Sequence, residues 1–279
     1  MSITNIDLKG KTAVVTGASS GIGESLARQL AERGADLVLV ARRQDRLETL
    51  AGELSRKHPV KARALALDLA APGAPEALFA QTEGQGQRVD LLMNNAGFGT
   101  FGDFLDIPWE QTARQLQLNI VALTELTHRF ARAMRARKQG WILNVASIGA
   151  YVPSPAYATY CAGKAYVRDF SEALTAELRD HNVQVTCLCP GGTFTEFHQV
   201  AGQELTPSFR MTFLSADRCA EIALDALFAG RRNVLSGLST KATAFFLSLL
   251  PRAVTIPIAG AMMGRRKSLP EGGTPTSHG

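Results

Sequence analysis

Two residues of opposite chemistry stand four apart in the segment Tyr160-Cys-Ala-Gly-Lys164. On a helix that spacing puts a phenol and an ammonium on the same face. A tyrosine with an ordinary pKa of about 10 is a poor base at neutral pH, but a fixed cation beside it favours the phenolate. Such a pair can exchange a proton with a carbonyl or alcohol oxygen. Ser147 ends the apolar run ILNVAS and offers a hydroxyl that can hold the same oxygen and stabilise charge developing on it. A Tyr-x-x-x-Lys pair on its own is an ordinary helix face. It gains meaning from what accompanies it.

The first companion is a glycine-rich turn. In TAVVTGASSGIGESLARQL, Gly17, Gly21 and Gly23 fall between an apolar run and an amphipathic one, with Ser19, Ser20 and Ile22 among them. Free N–H groups and the macrodipole at a helix start favour a diphosphate, and glycines allow the backbone to approach it closely. The serine hydroxyls can add donors to phosphate or ribose. The same stretch also formally matches the G-x-S-x-G elbow of a serine hydrolase, with Ser19 as nucleophile. That reading is disfavoured, because no earlier strand exists to supply an oxyanion-hole loop, and Tyr160 and Lys164 would go unexplained.

The end of the second apolar run, Val40-Ala41-Arg42-Arg43, carries no carboxylate. In a dinucleotide-binding unit this is where an acidic residue holds the 2′-OH of NAD or an arginine holds the 2′-phosphate of NADP. A guanidinium binds phosphate through two parallel bonds. Arg42 is the leading 2′-phosphate ligand and Arg43 the second, which makes NADP(H) the expected cofactor. Asp68, ending the third run, can accept from the adenine amino group or cap a turn.

These groups need elements to hold them. Six short apolar runs (12–16, 36–41, 62–67, 90–94, 141–146 and 183–189) alternate with helical patterns, the first of which stops at Gly34. Strands apolar on both faces and separated by helices predict an α/β fold, a doubly wound Rossmann-type parallel sheet flanked by helices on both faces. One such domain over 1–240 is expected, followed by an apolar and basic helical extension over 241–267 and a disordered tail over 268–279.

At this point the sequence resembles the short-chain dehydrogenase/reductase family over residues 10 to about 235. It carries TGASSGIG, NNAG at 94–97, a serine after the fifth strand, YCAGK and PGGTFT at 190–195. The resemblance implies that Tyr160 is the acid/base and that Lys164 binds the nicotinamide ribose and lowers the Tyr160 pKa. Ser147 would then orient the carbonyl, and Asn119 would support a water-linked proton relay. It further implies that Asn94, Ala96 and Gly97 line the cofactor and that Pro190, Gly191, Thr193 and Thr195 contact its nicotinamide end. Thr193 stands where Val or Ile is commoner in the family. Tyr151 and Tyr157 lack a lysine four residues on and are read as pocket wall or core. The C-terminal region is similar to the branch containing 17β-hydroxysteroid and 3-ketoacyl reductases.

The family covers its substrate with a variable segment, here about 194–215, which contains Phe194, Phe197, Phe209, Met211, Phe213 and Leu214. With Phe98, Phe101, Phe104, Tyr151 and Val152 these residues predict an apolar pocket for a hydrophobic ketone, aldehyde or alcohol. A noncatalytic NADP(H)-binding regulator of the same fold is the alternative, against which the intact Ser147, Tyr160 and Lys164 argue.

The formal charge of +5 is uneven, with seven Lys/Arg against one acid after residue 230. No basic nucleic-acid-binding element is visible. The apolar stretch 242–263 is interrupted by Pro251, Arg252 and Pro257. It therefore predicts two short helices, packed on the subunit, on a neighbouring copy or over the pocket mouth, or laid on an anionic membrane surface. The four cysteines show no CxxC pair and the five histidines no metal-ligand spacing, so no metal is expected. The start of the chain shows no secretion signal. A reduced, cytoplasmic setting and a homo-oligomer are the remaining expectations.

Overall fold

The computed structural model describes residues 6–204 and 213–262 and the backbone of 265–266. Seven parallel strands form the main sheet: β1 (Thr12–Thr16), β2 (Asp36–Ala41), β3 (Ala62–Ala66), β4 (Leu91–Asn94), β5 (Gly140–Val145), β6 (Val183–Cys189) and a later strand, Asn233–Leu235. Their spatial order is β3-β2-β1-β4-β5-β6 and then Asn233–Leu235. This is the expected doubly wound sheet with one strand more than predicted. Asn233–Leu235 is too short to show a period, and only Val234 is buried in it.

Strand alternation explains the two layers of helices. Ala13, Val15, Leu37, Leu39, Leu91 and Met93 face one side, where they meet α1 (Gly21–Glu32) and α2 (Gln44–Lys57). Val14, Val38, Val40, Leu92 and Ile142 face the other. There they meet α3 (Ala74–Ala80), α5 (Leu123–Ala136) and α6 (Ala158–Leu178). Both faces are therefore apolar, as a parallel sheet requires. α1 ends as its sequence indicates: Gly34, at φ +89°, donates its N–H to the Ala31 carbonyl at 3.0 Å. α4 (Trp109–Leu116) runs into α5 through a π-helical turn, Gln117–Ala122.

The winding direction reverses between β1 and β4, and a crevice opens at their carboxyl ends. Beyond β6 lie α7 (Phe197–Ala201), β7 (Gln203–Glu204) and α8 (Ala216–Phe228). The strand Asn233–Leu235, β8, follows, and the apolar stretch then forms two helices as expected, α9 (Leu238–Leu249) and α10 (Arg252–Met262). β9 (Arg265–Arg266) pairs antiparallel with β7. Among the described residues no helix is long and apolar enough to cross a membrane. The tail 268–279, Phe209 and Met211 fall outside the described residues.

A buried polar ladder ties the centre of the sheet to its helices. Asn94 on β4 donates to Thr127 on α5 and to Asn144 on β5, each at 2.9 Å, and Asn144 donates to Ser171 on α6 at 3.0 Å. Removing one member strands its neighbours without water. Asn144→Ala is expected to lower unfolding stability by about 2–3 kcal/mol, read by urea denaturation; a change below 0.5 kcal/mol would show that the ladder bears little.

Candidate active site

The glycine turn is held open by the strand beside it. Thr16, buried at the end of β1, donates its hydroxyl to the Met93 carbonyl at 3.1 Å and accepts from the N–H groups of Asn95 and Ala96 at 3.0 Å. Asn95 in turn donates its amide to the carbonyls of Thr16 and Gly17 at 3.0 and 3.3 Å. Gly17 and Gly21 adopt φ of +66° and +59°, which L side chains rarely tolerate. A Cβ on Gly23 would stand 2.2 Å from the Gly17 carbonyl, so Gly23 packs under the turn and does not line the crevice. Ser20 is the N-cap of α1, yet its side chain makes no capping bond. The helix start is thus an uncapped cluster of N–H donors that suits a diphosphate.

From this turn one cavity of about 500 Å³ runs along the strand ends. Gly17, Ser19, Ser20, Gly21 and Ile22 line its first part, with Arg42, Arg43 and Asp68 beside them. Arg42 is exposed and makes no hydrogen bond or ion pair with the described residues, whereas Arg43 binds the Ser19 and Ser20 hydroxyls at 3.0 and 2.9 Å. Asp68 makes the turn contact that the sequence offered as one of its two purposes. It faces the cavity while one oxygen accepts from Ala70 N at 3.1 Å and the other pairs with Arg114 at 2.6 Å. Ala96, Gly97, Pro190, Gly191, Thr193 and Thr195 line the middle.

Ser147, Tyr160 and Lys164 line the far end together. Ser147 accepts from Gly149 N at 3.1 Å, which leaves its own proton to donate, and its hydroxyl stands near enough to the Tyr160 phenol to favour the phenolate. The Lys164 ammonium is only 5% exposed, lies 5.7 Å from the Tyr160 ring centroid and donates to the Val145 carbonyl at 2.7 Å. Burial pulls its pKa down to about 8. Burial also pushes the Tyr160 phenol well above its ordinary value, with the Ser147 hydrogen bond opposing that rise. The expected depression of Tyr160 by Lys164 does not appear among the influences on the phenol, where desolvation dominates.

One other expectation needs correction. Asn94 does not line the cavity; it belongs to the core ladder, because strand alternation turns it toward Asn144, its partner in the β4–β5 register. The neighbour Asn95 faces the crevice instead. Asn119, on the π-helical turn, is not on the cavity wall either. Its amide donates to the Phe98 carbonyl at 2.7 Å and accepts from Phe98 N at 3.2 Å, so it fixes the loop that carries Gly97 and Phe98.

The remaining wall is mostly apolar, with Ser154, Gln203, Ser239, Thr240 and Thr243 as its polar groups. Phe98, Val152, Tyr157, Phe197 and Val200 contribute to it, and Phe197 and Tyr157 each pack on the Tyr160 ring, with centroids 5.3 and 5.5 Å away. Phe101 packs at a tilt behind Tyr157, Phe104 and Phe194 are exposed, Phe213 packs on Phe194, and Tyr151 accepts from Asn233 away from the cavity. Thr240, Thr243 and Leu247 of α9 and Ala259 of α10 complete the roof. The C-terminal helices therefore meet the pocket, which the sequence left open among several placements. Their outer face shows Phe245, Phe246, Leu249 and Leu250 to solvent. No histidine lines the cavity among the described residues, and Ser19 is bonded to Arg43, so the hydrolase arrangement is not formed. Among the described residues no metal-binding cluster occurs.

The family model for short chain dehydrogenases matches residues 11–206. The chain belongs to the short-chain dehydrogenase family. It is an oxidoreductase. A 7β-hydroxysteroid dehydrogenase of Collinsella aerofaciens is 29% identical over 232 residues, 80% of this chain and 88% of its own length. A very-long-chain 3-oxoacyl-CoA reductase of Phaeosphaeria nodorum is 34% identical over 194 residues, which cover 67% of this chain but 56% of that protein. Among solved structures, a 7β-hydroxysteroid dehydrogenase superposes with a TM-score of 0.82 at 26% identity, covering 90% of this chain and 97% of the other. A short-chain dehydrogenase from Sphingobium yanoikuyae in complex with NADPH gives 0.78 at 32% identity, covering 85% and 92%.

Sequence reasoning missed Asn95, Arg114 and Glu196 on this short-chain dehydrogenase cavity, and Thr16 buried behind it. Asn95 was within reach, since it is the second residue of the quoted NNAG motif and strand parity distinguishes it from Asn94. Glu196 gave no signal, because its partners lie about 150 residues away in the chain.

The buried ammonium has a measurable consequence. With a folded pKa near 8 and an ordinary value of 10.5, the unfolded chain binds the extra proton between those pH values. Stability must therefore rise with pH across that window. Lys164→Met removes the group and is expected to flatten this rise, by on the order of 3 kcal/mol, in denaturation curves taken from pH 7.5 to 10.5. Parallel curves for the two proteins would overturn the burial argument.

Proposed function

We propose that this short-chain dehydrogenase uses NADP(H) to interconvert a hydrophobic ketone or aldehyde and its alcohol. One observation carries the reading: Ser147, Tyr160 and Lys164 line the same cavity as an uncapped, glycine-lined helix start. The residues fit a dinucleotide at both ends. Backbone donors of α1 suit the diphosphate, and Arg42, without a partner among the described residues, has a guanidinium that can take a 2′-phosphate. The NADPH bound by the Sphingobium yanoikuyae relative supports the same choice. Such a cofactor supplies the hydride; the protein's part is proton transfer and positioning.

Tyr160 is the proton donor in this reading. Because burial holds the phenol protonated through neutral pH, it can give its proton to a carbonyl oxygen. Ser147 holds the carbonyl oxygen with its free proton. Lys164 places a cation beneath the phenol and toward the ribose hydroxyls. Asn119 acts at one remove, by fixing the Phe98 backbone. The apolar walls, roofed by α9 and α10, select a bulky hydrophobic substrate and exclude water. The names of the steroid and acyl relatives support that class.

The test is NADPH oxidation measured across hydrophobic ketones and aldehydes with wild type and Tyr160→Phe. Turnover is expected to fall by about 10²–10⁴ in the variant, while its NADPH dissociation constant stays within about threefold. Tight NADPH binding by the wild type without turnover on any of these carbonyls would instead mark a nucleotide-binding regulator.

A further inference from the structure

A carboxylate on the substrate side of the cavity reaches across to the arginines of the adenosine side. Glu196 lies between Thr195 and α7. Its two oxygens accept from Arg43 and from Arg46, each at 2.8 Å. The Nε and Nη2 donors of Arg43 go to the hydroxyls of Ser19 and Ser20 on the glycine turn. These arginines hold the Glu196 carboxyl down to a pKa of about 2, so it is charged at any working pH. Glu196 lines the same cavity as Arg42, the arginine left without a partner among the described residues.

A ribose 2′-phosphate placed against Arg42 brings a charge of about −1.5 to −2 into this cluster. The phosphate and the Glu196 carboxylate then repel one another and call on the same guanidiniums. Glu196 is also one peptide bond from Phe197, whose ring packs on Tyr160. A change at the adenosine end can therefore be felt by the wall of the proton donor.

We propose that Glu196 sets the preference between the two nicotinamide dinucleotides: it competes with a 2′-phosphate for Arg43 and Arg46, and a phosphorylated ribose unhooks it from them. This rests on the NADP(H) reading above. The carboxylate weakens NADP(H) binding and leaves NAD(H) binding unaffected. It is a specificity-determining residue and touches no reacting atom.

The experiment is calorimetric titration of the whole chain with adenosine 2′,5′-bisphosphate and with 5′-AMP, which differ only in the 2′-phosphate. Wild type is expected to bind the bisphosphate more tightly. Glu196→Gln, and Glu196→Ala as a second variant at this half-exposed position, are expected to widen that difference three- to tenfold through the bisphosphate alone. In an Arg43→Ala background the same change should have a much smaller effect. An unchanged or narrowed difference in both Glu196 variants overturns the competition and makes Glu196 a brace that orients Arg43 for phosphate. Equal binding of the two nucleotides by wild type defeats the NADP(H) reading and the inference with it.

Discussion

A single ammonium kept out of water organises the working end of this molecule. Burying Lys164 is costly unless its protons are placed, and the Val145 carbonyl at the end of β5 takes one of them. That bond fixes α6 against the carboxyl end of the sheet and puts Tyr160, four residues earlier, over the strand ends beside Ser147. The wall around the ammonium leaves no room for misplacement: a Cβ on Gly97 would come within 3.0 Å of Asn119 and 3.5 Å of Lys164. The chemistry depends on a charge that the fold would be more stable without. Active sites commonly carry this kind of conflict.

The same logic applies at the nucleotide end. The crevice exists because the strand order reverses between β1 and β4, and Thr16 and Asn95 pin that junction with hydrogen bonds from both strands. The glycines are then needed for space as well as for conformation, since Gly17, Gly21 and Gly23 each lie against neighbouring atoms closer than a side chain allows. The turn is rigid before any nucleotide arrives, which spares the entropy of ordering it on binding.

The sheet was largely legible because parallel strands buried on both faces read as continuous apolar runs. All six expected segments match to within a residue at each end. β8 was illegible for want of length. The site was legible wherever its residues are close in sequence, as in the glycine turn and the Tyr160–Lys164 pair. It was less so where parity decides, and Asn95 takes the place expected of Asn94 for that reason. Contacts between distant segments, such as Glu196 with Arg43 and Arg46 or α9 with the pocket, leave no local pattern. The apolar stretch after residue 241 gave its helices but not their purpose. One face roofs the cavity, and the other presents phenylalanine and leucine side chains to solvent.

The claim at the centre of this account is that hydride and proton meet at one carbon and its oxygen beside Tyr160. Isotope transfer tests it most directly. NADPH carrying deuterium at C4 of the nicotinamide, on one face and then on the other, is incubated with a hydrophobic ketone that the protein reduces, and the alcohol is weighed by mass spectrometry. The account requires one deuterium on the carbinol carbon from one labelled form and none from the other. Alcohol without label from either form, or label divided evenly between the two, would contradict it.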